Sequence, residues 1–331
     1  AQAILAQGEA EARAAPRLSR GLQMASTAAP AMPLRVLTFN VRMDTEEKDP
    51  ADNWSGERRD AVVAFLRWAD ADVIGMQEVL PGQLSFLAAA LAPEYAFVGI
   101  GREPGGFGEA SPLFFRAARL CVVRHETRWL SNSPDEPGSM YPGAGCARIV
   151  TCTELQQGDG GRFFCFCTHL DHVGMTGEHA IQREQGRILC SLVDAFCGYS
   201  SLPRVILGDF NSIREAGAPP VLRAAGFSDC SGGDDAATFV EFDDRKAGTG
   251  AVNHIDWIFI CDAVHGGYTV YDPKYEHSAG RTRNVSDHLG VGAQLLLGAP
   301  AAAAGHALPA ASCQCAIRLR LHDAGPTSGQ P

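Results

Sequence analysis

Between residues 34 and 297, short apolar runs alternate with polar stretches rich in glycine and aspartate. The β-branched and aromatic runs at 34–40, 148–153, 162–168, 204–207 and 255–260 predict strands, most of them apolar enough to be covered on at least one face. Two longer segments carry a single stripe at helical spacing. In 57–69 the stripe is Ala61, Val62, Phe65, Leu66 and Ala69, and in 178–196 it is Ile181, Ile188, Leu189, Leu192 and Phe196. Strand-rich sequence with helices inserted predicts an α/β protein of two packed sheets flanked by helices. No internal repeat or interior linker divides the region, so 34–297 is expected to form one domain.

The ends have another texture. Residues 1–33 are rich in Ala, and 298–331 in Ala, Gly and Pro, so both are expected to be disordered extensions. The first segment bears arginines, as an organellar targeting remnant would, while Glu9 and Glu11 count against that reading.

Composition narrows the setting. With 46% hydrophobic and 20% charged residues among 331, the chain can bury a large core. No run reaches the roughly 18 to 20 apolar residues that a membrane-spanning helix needs. The net charge is -10, and since the two tails hold five arginines and three acids, the middle keeps 23 basic against 35 acidic residues. Such a balance disfavours sequence-independent attraction to a nucleic-acid backbone. Eleven cysteines, an odd number, several of them inside apolar runs (Cys165, Cys167, Cys190, Cys261), predict the cytoplasm or another reducing compartment. The pairs Cys165/Cys167 and Cys313/Cys315 lack the spacing of a structural zinc site.

Polar residues gather at the ends of the predicted strands: Asn40, Gln77-Glu78, Thr168-His169, Gly208-Asp209-Phe210-Asn211, Asp256 and Ser286-Asp287-His288. Taken singly, each has a plain explanation. Asn40 can cap a turn, Gly208-Asp209 can be a turn, His169 can be a satisfied core histidine, and Glu78 and Asp287 can pair with arginines. Together they combine hard oxygen ligands with two imidazoles, which is what attack on a phosphoester needs. Carboxylates such as Glu78 and Asp287 can hold a cation that neutralises phosphate oxygens, with oxygen ligands favouring magnesium or manganese. An imidazole fixed by a carboxylate, as His288 and Asp256 can be, can orient or deprotonate water.

The series Thr38-Phe39-Asn40, Gln77-Glu78, Thr168-His169-Leu170, Gly208-Asp209-Phe210-Asn211, Ile255-Asp256-Trp257-Ile258-Phe259 and Ser286-Asp287-His288 resembles, in identity and order, the motifs of the endonuclease/exonuclease/phosphatase superfamily across 34–297. Gly101-Arg102, Gly108-Glu109, Trp129-Leu130-Ser131, Arg148 and Asp171-His172 look more like a bacterial-type branch of metal-dependent hydrolases. The resemblance implies a four-layered α/β sandwich of two mainly antiparallel sheets and a metal-dependent phosphoester hydrolase. It implies that Glu78 is the principal metal ligand, with Asn40 and Asp287 completing the site directly or through water. Asp209 and Asn211 would position the attacking water and the phosphate. His288 would be the general base, oriented by Asp256, and His169 would hydrogen-bond the phosphate in the transition state. Arg148 is a candidate phosphate contact or, equally, a surface strand arginine. Two departures stand out: Arg42, where some nucleases carry an acid, which counts against a second metal, and Trp257 in place of the more frequent Tyr.

Arg102, Glu109, His172 and Arg183 are weaker candidates for the substrate pocket. The glycines at 105–106 and 143–145 lack the context of a nucleotide-binding loop. The negative charge favours a small phosphoester over nucleic acid, and a monomer without protein partner is expected. A nuclease, or a binding module that keeps the fold without the chemistry, stands as the alternative.

Overall fold

The computed structural model describes residues 33–54, 56–174, 177–242 and 253–297, together with the backbone of a strand at 312–319. Residues 1–32, where a disordered N-terminal extension is expected, lie outside the described residues. The C-terminal segment expected to be disordered contributes that strand, while 298–311 and 320–331 lie outside the description.

One sheet runs β14 (Arg281–Asn284), β13 (Ala263–His277), β15 (Gly290–Leu297), β1 (Leu34–Asn40), β2 (Val73–Gln77), β6 (Leu113–Arg116) and β3 (Tyr95–Val98), with β16 (Ser312–Leu319) also on β13. A second runs β11 (Ser228–Asp229), β12 (Asp256–Cys261), β10 (Arg204–Asp209), β9 (Arg162–His169), β8 (Ile149–Gln157) and β7 (Leu120–Trp129). A short hairpin joins β4 (Gly101–Glu103) to β5 (Phe107–Ala110). Pairing is mainly antiparallel. The parallel contacts are β1 with β2, β9 with β10, and β13 with β16. The first two are central, and each pair is bridged by a helix: α1 (Glu57–Ala69) lies between β1 and β2, and α3 (Ala180–Cys197) between β9 and β10.

Side-chain alternation along the central strands builds three apolar layers. In β1, Leu34 and Val36 face the second sheet, where they join Val73, Cys165, Cys167, Val205, Leu207, Ile258 and Ile260. Leu37 and Phe39 point the other way, onto Ala61, Val62, Phe65 and Leu66 of α1 and Leu87 and Leu91 of α2 (Pro81–Leu91). On the far side, Phe164, Phe166, Ile206 and Phe259 pack beneath Leu189, Leu192, Val193 and Phe196 of α3 and Leu222 of α4 (Ala218–Ala224). Helix, sheet, sheet and helix are thus stacked as four layers. The helical stripes read in the sequence are the faces that cover the sheets.

The same parity places the polar residues. Along β1 the inward positions Leu34 and Val36 are followed by Thr38 and Asn40. Along β9, Cys165 and Cys167 are followed by His169; along β10, Val205 and Leu207 are followed by Asp209; and Asp256 precedes Ile258 and Ile260 on β12. At one end of the sandwich, therefore, the inter-sheet layer changes from apolar to polar. Strand register brings the residues side by side: Asn40 opposite Gln77, and Asp209 opposite both His169 and Asp256.

The described cysteines are all free, and five of them are buried. Cys165 and Cys167 fill the layer between the sheets, where burial pushes the Cys167 thiol up to about 12.

Candidate active site

At the polar end of the sandwich Asn40 is the hub. Its Nδ2 donates to Glu78 Oε1 at 2.9 Å and to Asp209 Oδ2 at 3.0 Å, so one fully buried amide links a carboxylate from each sheet. Its Oδ1 accepts from the Arg42 backbone N–H at 2.9 Å, and its own carbonyl accepts from Ser286 Oγ at 2.7 Å. Ser286 is thereby the clasp between β1 and the loop carrying Asp287 and His288. Glu78 leaves the end of β2 with φ 62°, a left-handed conformation uncommon outside glycine, and its Oε2 accepts from the Met43 N–H at 3.1 Å.

His288 stands between two carboxylates. Its Nδ1 is 2.9 Å from Asp256 Oδ2, and its Nε2 is 3.6 Å from Asp209 Oδ2. Asp256 is fixed in turn, since Thr238 Oγ1 accepts from the Ile255 and Asp256 N–H groups. Phe239 packs against the imidazole with ring centroids 5.0 Å apart. Burial opposes the charged ring, yet Asp256, Asp209 and Asp287 together hold His288 up to about 10. Burial and the neighbouring Asp256 push Asp209 up to about 7.

His169 reaches the same point from β9, with Nε2 3.4 Å from Asp209 Oδ2 and 3.1 Å from Asn211 Nδ2. Burial, followed by the charges of Arg148, His288, Arg102 and His172, holds it well below the ordinary histidine value, so the ring is neutral. Asn211, at φ 46°, is pinned by its N–H on Asp209 Oδ1 and its Nδ2 on the Leu170 carbonyl. Gly208 makes this corner possible, because a Cβ there would lie 2.1 Å from the Thr168 carbonyl oxygen.

The donor set fits a hard divalent cation. Glu78, Asp209 and Asp287 are three carboxylates in one pocket, and Glu78, Asp209 and His288 can each present a ligand atom within 4.8 Å of the others. Burial and the charge of Glu78 raise the Asp287 carboxyl, although His288, Arg42 and Arg58 oppose them. Arg42 approaches Asp287 at 3.6 Å and Glu78 at 4.0 Å, too far for hydrogen bonds, while its Nε is held by Glu47 at 2.8 Å. Oxygen donors in anionic excess suit magnesium or manganese.

All nine of the singled-out residues converge. Arg148 is buried and lines the cleft, with Nη2 3.1 Å from His172 Nδ1 and Nε 3.6 Å from Asp171. Arg102, Glu109 and His172 line the cleft too. Arg183 does not: it borders a separate groove with Arg187 and Glu215, because it lies on the solvent side of α3. Cys146, Asp171 and His172 bring three possible ligands together, but both Asp171 oxygens already accept from the backbone, from Gly145, Cys146 and Val173. That group is a loop clasp.

Sequence reading missed Arg58 and Thr238 as organisers, and quoted Ser286 in its motif without giving it a role. Arg58 is buried in α1 and donates to the carbonyls of Val41, Val285 and Arg42, tying the Asn40 and Asp287 loops to one helix. Nothing in its spacing marked it out, since it sits off the apolar stripe.

Comparison with known proteins bears on the family and the fold. The profile of the Endonuclease/Exonuclease/phosphatase family matches residues 37–288. Among solved structures, an endonuclease/exonuclease/phosphatase from Bacteroides vulgatus is 30% identical with a TM-score of 0.70, over 80% of this chain and 99% of that one. A mannosyl-6-phosphatase from Bacteroides thetaiotaomicron is 27% identical with a TM-score of 0.71, over 80% and 99%. The human nocturnin catalytic domain, 15% identical with a TM-score of 0.57 over 80% and 94%, shares the fold. No curated protein matches the chain in sequence. With the family model matching residues 37–288 and a structure 30% identical over 80% of this chain sharing its fold, the chain belongs to the endonuclease/exonuclease/phosphatase family.

Proposed function

We propose that this protein is a divalent-metal-dependent phosphoester hydrolase acting on small phosphoesters, with a sugar phosphate monoester as the favoured substrate class. The observation that carries it is the convergence of Asn40, Glu78, Asp209 and His288, drawn from both sheets, on one oxygen-lined spot beside the Asp256–His288 pair.

Glu78 and Asp287 would hold the ion, with Asn40 fixing the orientation of Glu78. A bound magnesium or manganese would neutralise phosphoryl oxygens and so ease attack on an anion. Asp209, pushed into the neutral range, is the group placed to take the proton of the attacking water, with Asn211 and His169 defining where that water and the phosphate sit. His288 acts with it: kept charged by its three carboxylates, it donates from Nε2 toward the developing charge. Asp256 keeps Nδ1 engaged so that Nε2 faces the cleft. Arg148 contributes a buried positive charge to the same cleft.

Size favours a small substrate. The cleft encloses about 520 Å³, within the range of about 300–1,000 Å³ usual for small-molecule sites. The net charge of -10 adds no attraction for a polyanion. The mannosyl-6-phosphatase neighbour supports the same class.

The test is a panel of p-nitrophenyl phosphate, bis-p-nitrophenyl phosphate, hexose phosphates, nucleotides and oligonucleotides, each with magnesium, manganese or a chelator. Metal-dependent release from the small monoesters is expected. Turnover that survives chelation, or activity confined to oligonucleotides, contradicts the proposal.

A further inference from the structure

The cleft also holds an ion pair that the hydrolytic step does not use. Arg102 on β4 and Glu109 on β5 face one another across the hairpin, Nη2 to Oε1 at 2.6 Å, with side chains 16% and 13% exposed. Among the described residues, these two side chains have their hydrogen bonds and ion pairs only with each other. Both share the inner recess of the cleft with Glu78, Arg148 and His169.

The hairpin is fixed to both sheets. Ala110, next to Glu109, exchanges hydrogen bonds of 2.8 and 3.3 Å with Val79, the neighbour of Glu78. The Arg102 carbonyl accepts from Trp129 Nε1 at 2.6 Å, and Trp129 is packed on Ala147 and Ile149 beside Arg148. At Gly101 a Cβ would lie 2.1 Å from the Phe107 carbonyl oxygen, so the two strands close tightly. The pair thus stands at a set place relative to Glu78 on one side and Arg148 on the other.

An ion pair withdrawn this far from water contributes little net stability. Burial pushes the Glu109 carboxyl up, against the pull of Arg102 and Arg148. What the pair does offer is unused capacity: the guanidinium keeps donors and the carboxylate keeps lone pairs. A carboxylate beside the phosphate recess repels a second phosphate but accepts from O–H, whereas the guanidinium donates to a hydroxyl oxygen. An alcohol hydroxyl, both donor and acceptor, matches such a pair.

We propose that Arg102 and Glu109 form a hydroxyl-recognition subsite that selects phosphomonoesters of polyols by gripping neighbouring hydroxyls of the leaving alcohol. The inference rests on the hydrolase reading and deepens it. Its test compares wild type, Glu109→Gln and Arg102→Lys on p-nitrophenyl phosphate, whose leaving group has no further hydroxyl, and on a hexose 6-phosphate and glycerol 3-phosphate. Magnesium is present throughout and folding is checked by thermal melting. Losing hydrogen bonds to a charged group should lower kcat/KM on the polyol esters by about 10- to 100-fold more than on p-nitrophenyl phosphate, chiefly through KM. Equal losses on all substrates, or none, overturn the subsite. So does a wild type that turns over p-nitrophenyl phosphate and neither polyol ester. Should either variant fail to fold, competition of p-nitrophenyl phosphate turnover by a free hexose 6-phosphate in the wild type and the other variant decides: weaker competition in the variant supports the subsite, and equal competition overturns it. A wild type inert on every ester with metal fails at the hydrolase reading instead.

Discussion

Among individual residues, the chemistry depends on how carboxylates treat one imidazole and one another. His288 holds its charge against burial because Asp256, Asp209 and Asp287 surround it. His288→Ala removes the charged Nε2 donor, so turnover of p-nitrophenyl phosphate should fall by about 10²–10⁴-fold, as loss of a positioned acid does. Asp256→Asn keeps the size and removes the negative charge beside Nδ1, so it should move activity the same way. Retention of wild-type rates in either variant contradicts these roles. Asp287 gives a pH prediction. Its carboxyl is raised by burial and by Glu78, so it takes up a proton at a higher pH than an exposed aspartate, and a protonated carboxyl does not hold a cation. The magnesium-induced rise in Tm should therefore be full in mildly alkaline buffer and shrink as pH falls through the raised value; a rise that is unchanged into the acid range counts against it. Asn40 and Asp209 were legible in the sequence because each ends an apolar run at an inward position, whereas Glu78 and His288, just outside β2 and β15, were legible by their place in the polar motifs. Arg58 was not, because its partners are backbone carbonyls that leave no trace in spacing.

For strands and helices, parity and close approach decide function. β9, β10 and β12 deliver His169, Asp209 and Asp256 in register only if β9 and β10 stay close at Gly208. Gly208→Ala would drive a methyl into the Thr168 carbonyl, so the variant should melt several degrees lower and lose activity together; an unchanged Tm with full turnover would refute that dependence. Arg58→Leu leaves the carbonyls of Val41 and Val285 without their donor in a buried place, at a cost of about 1–3 kcal/mol, measurable by urea denaturation. The strands with clean apolar patterns, β1, β9, β10 and β12, and the striped helices α1 and α3 match their expected spans to within a few residues. β7 and β13 are half-exposed along much of their length, so their mixed polarity hid them. β16 was hidden by the Ala-, Gly- and Pro-rich composition around it, whereas its pairing with β13 is a property of the sheet edge.

In the whole molecule, two sheets that are apolar between their middles become polar at one end, and the cleft there is lined by charges of both signs. Glu78, Asp209 and Asp287 line it together with Arg102, Arg148, His169 and His172. That polarity suits an anionic ester bridging a cation and a guanidinium in a molecule whose net charge is -10. The charge was countable from the sequence, but the placing of Arg102 and Glu109 in the cleft depends on the β4–β5 hairpin, whose position no periodicity encodes. No helix among the described residues is long and apolar enough to cross a membrane. The central claim, that distant side chains build one divalent-ion site, is tested most directly by crystals grown with manganese and measured for anomalous scattering. A single strong peak within ligand distance of Glu78, beside Asp287 and Asp209, is the predicted result. A peak elsewhere, or none there at saturating manganese, would contradict it.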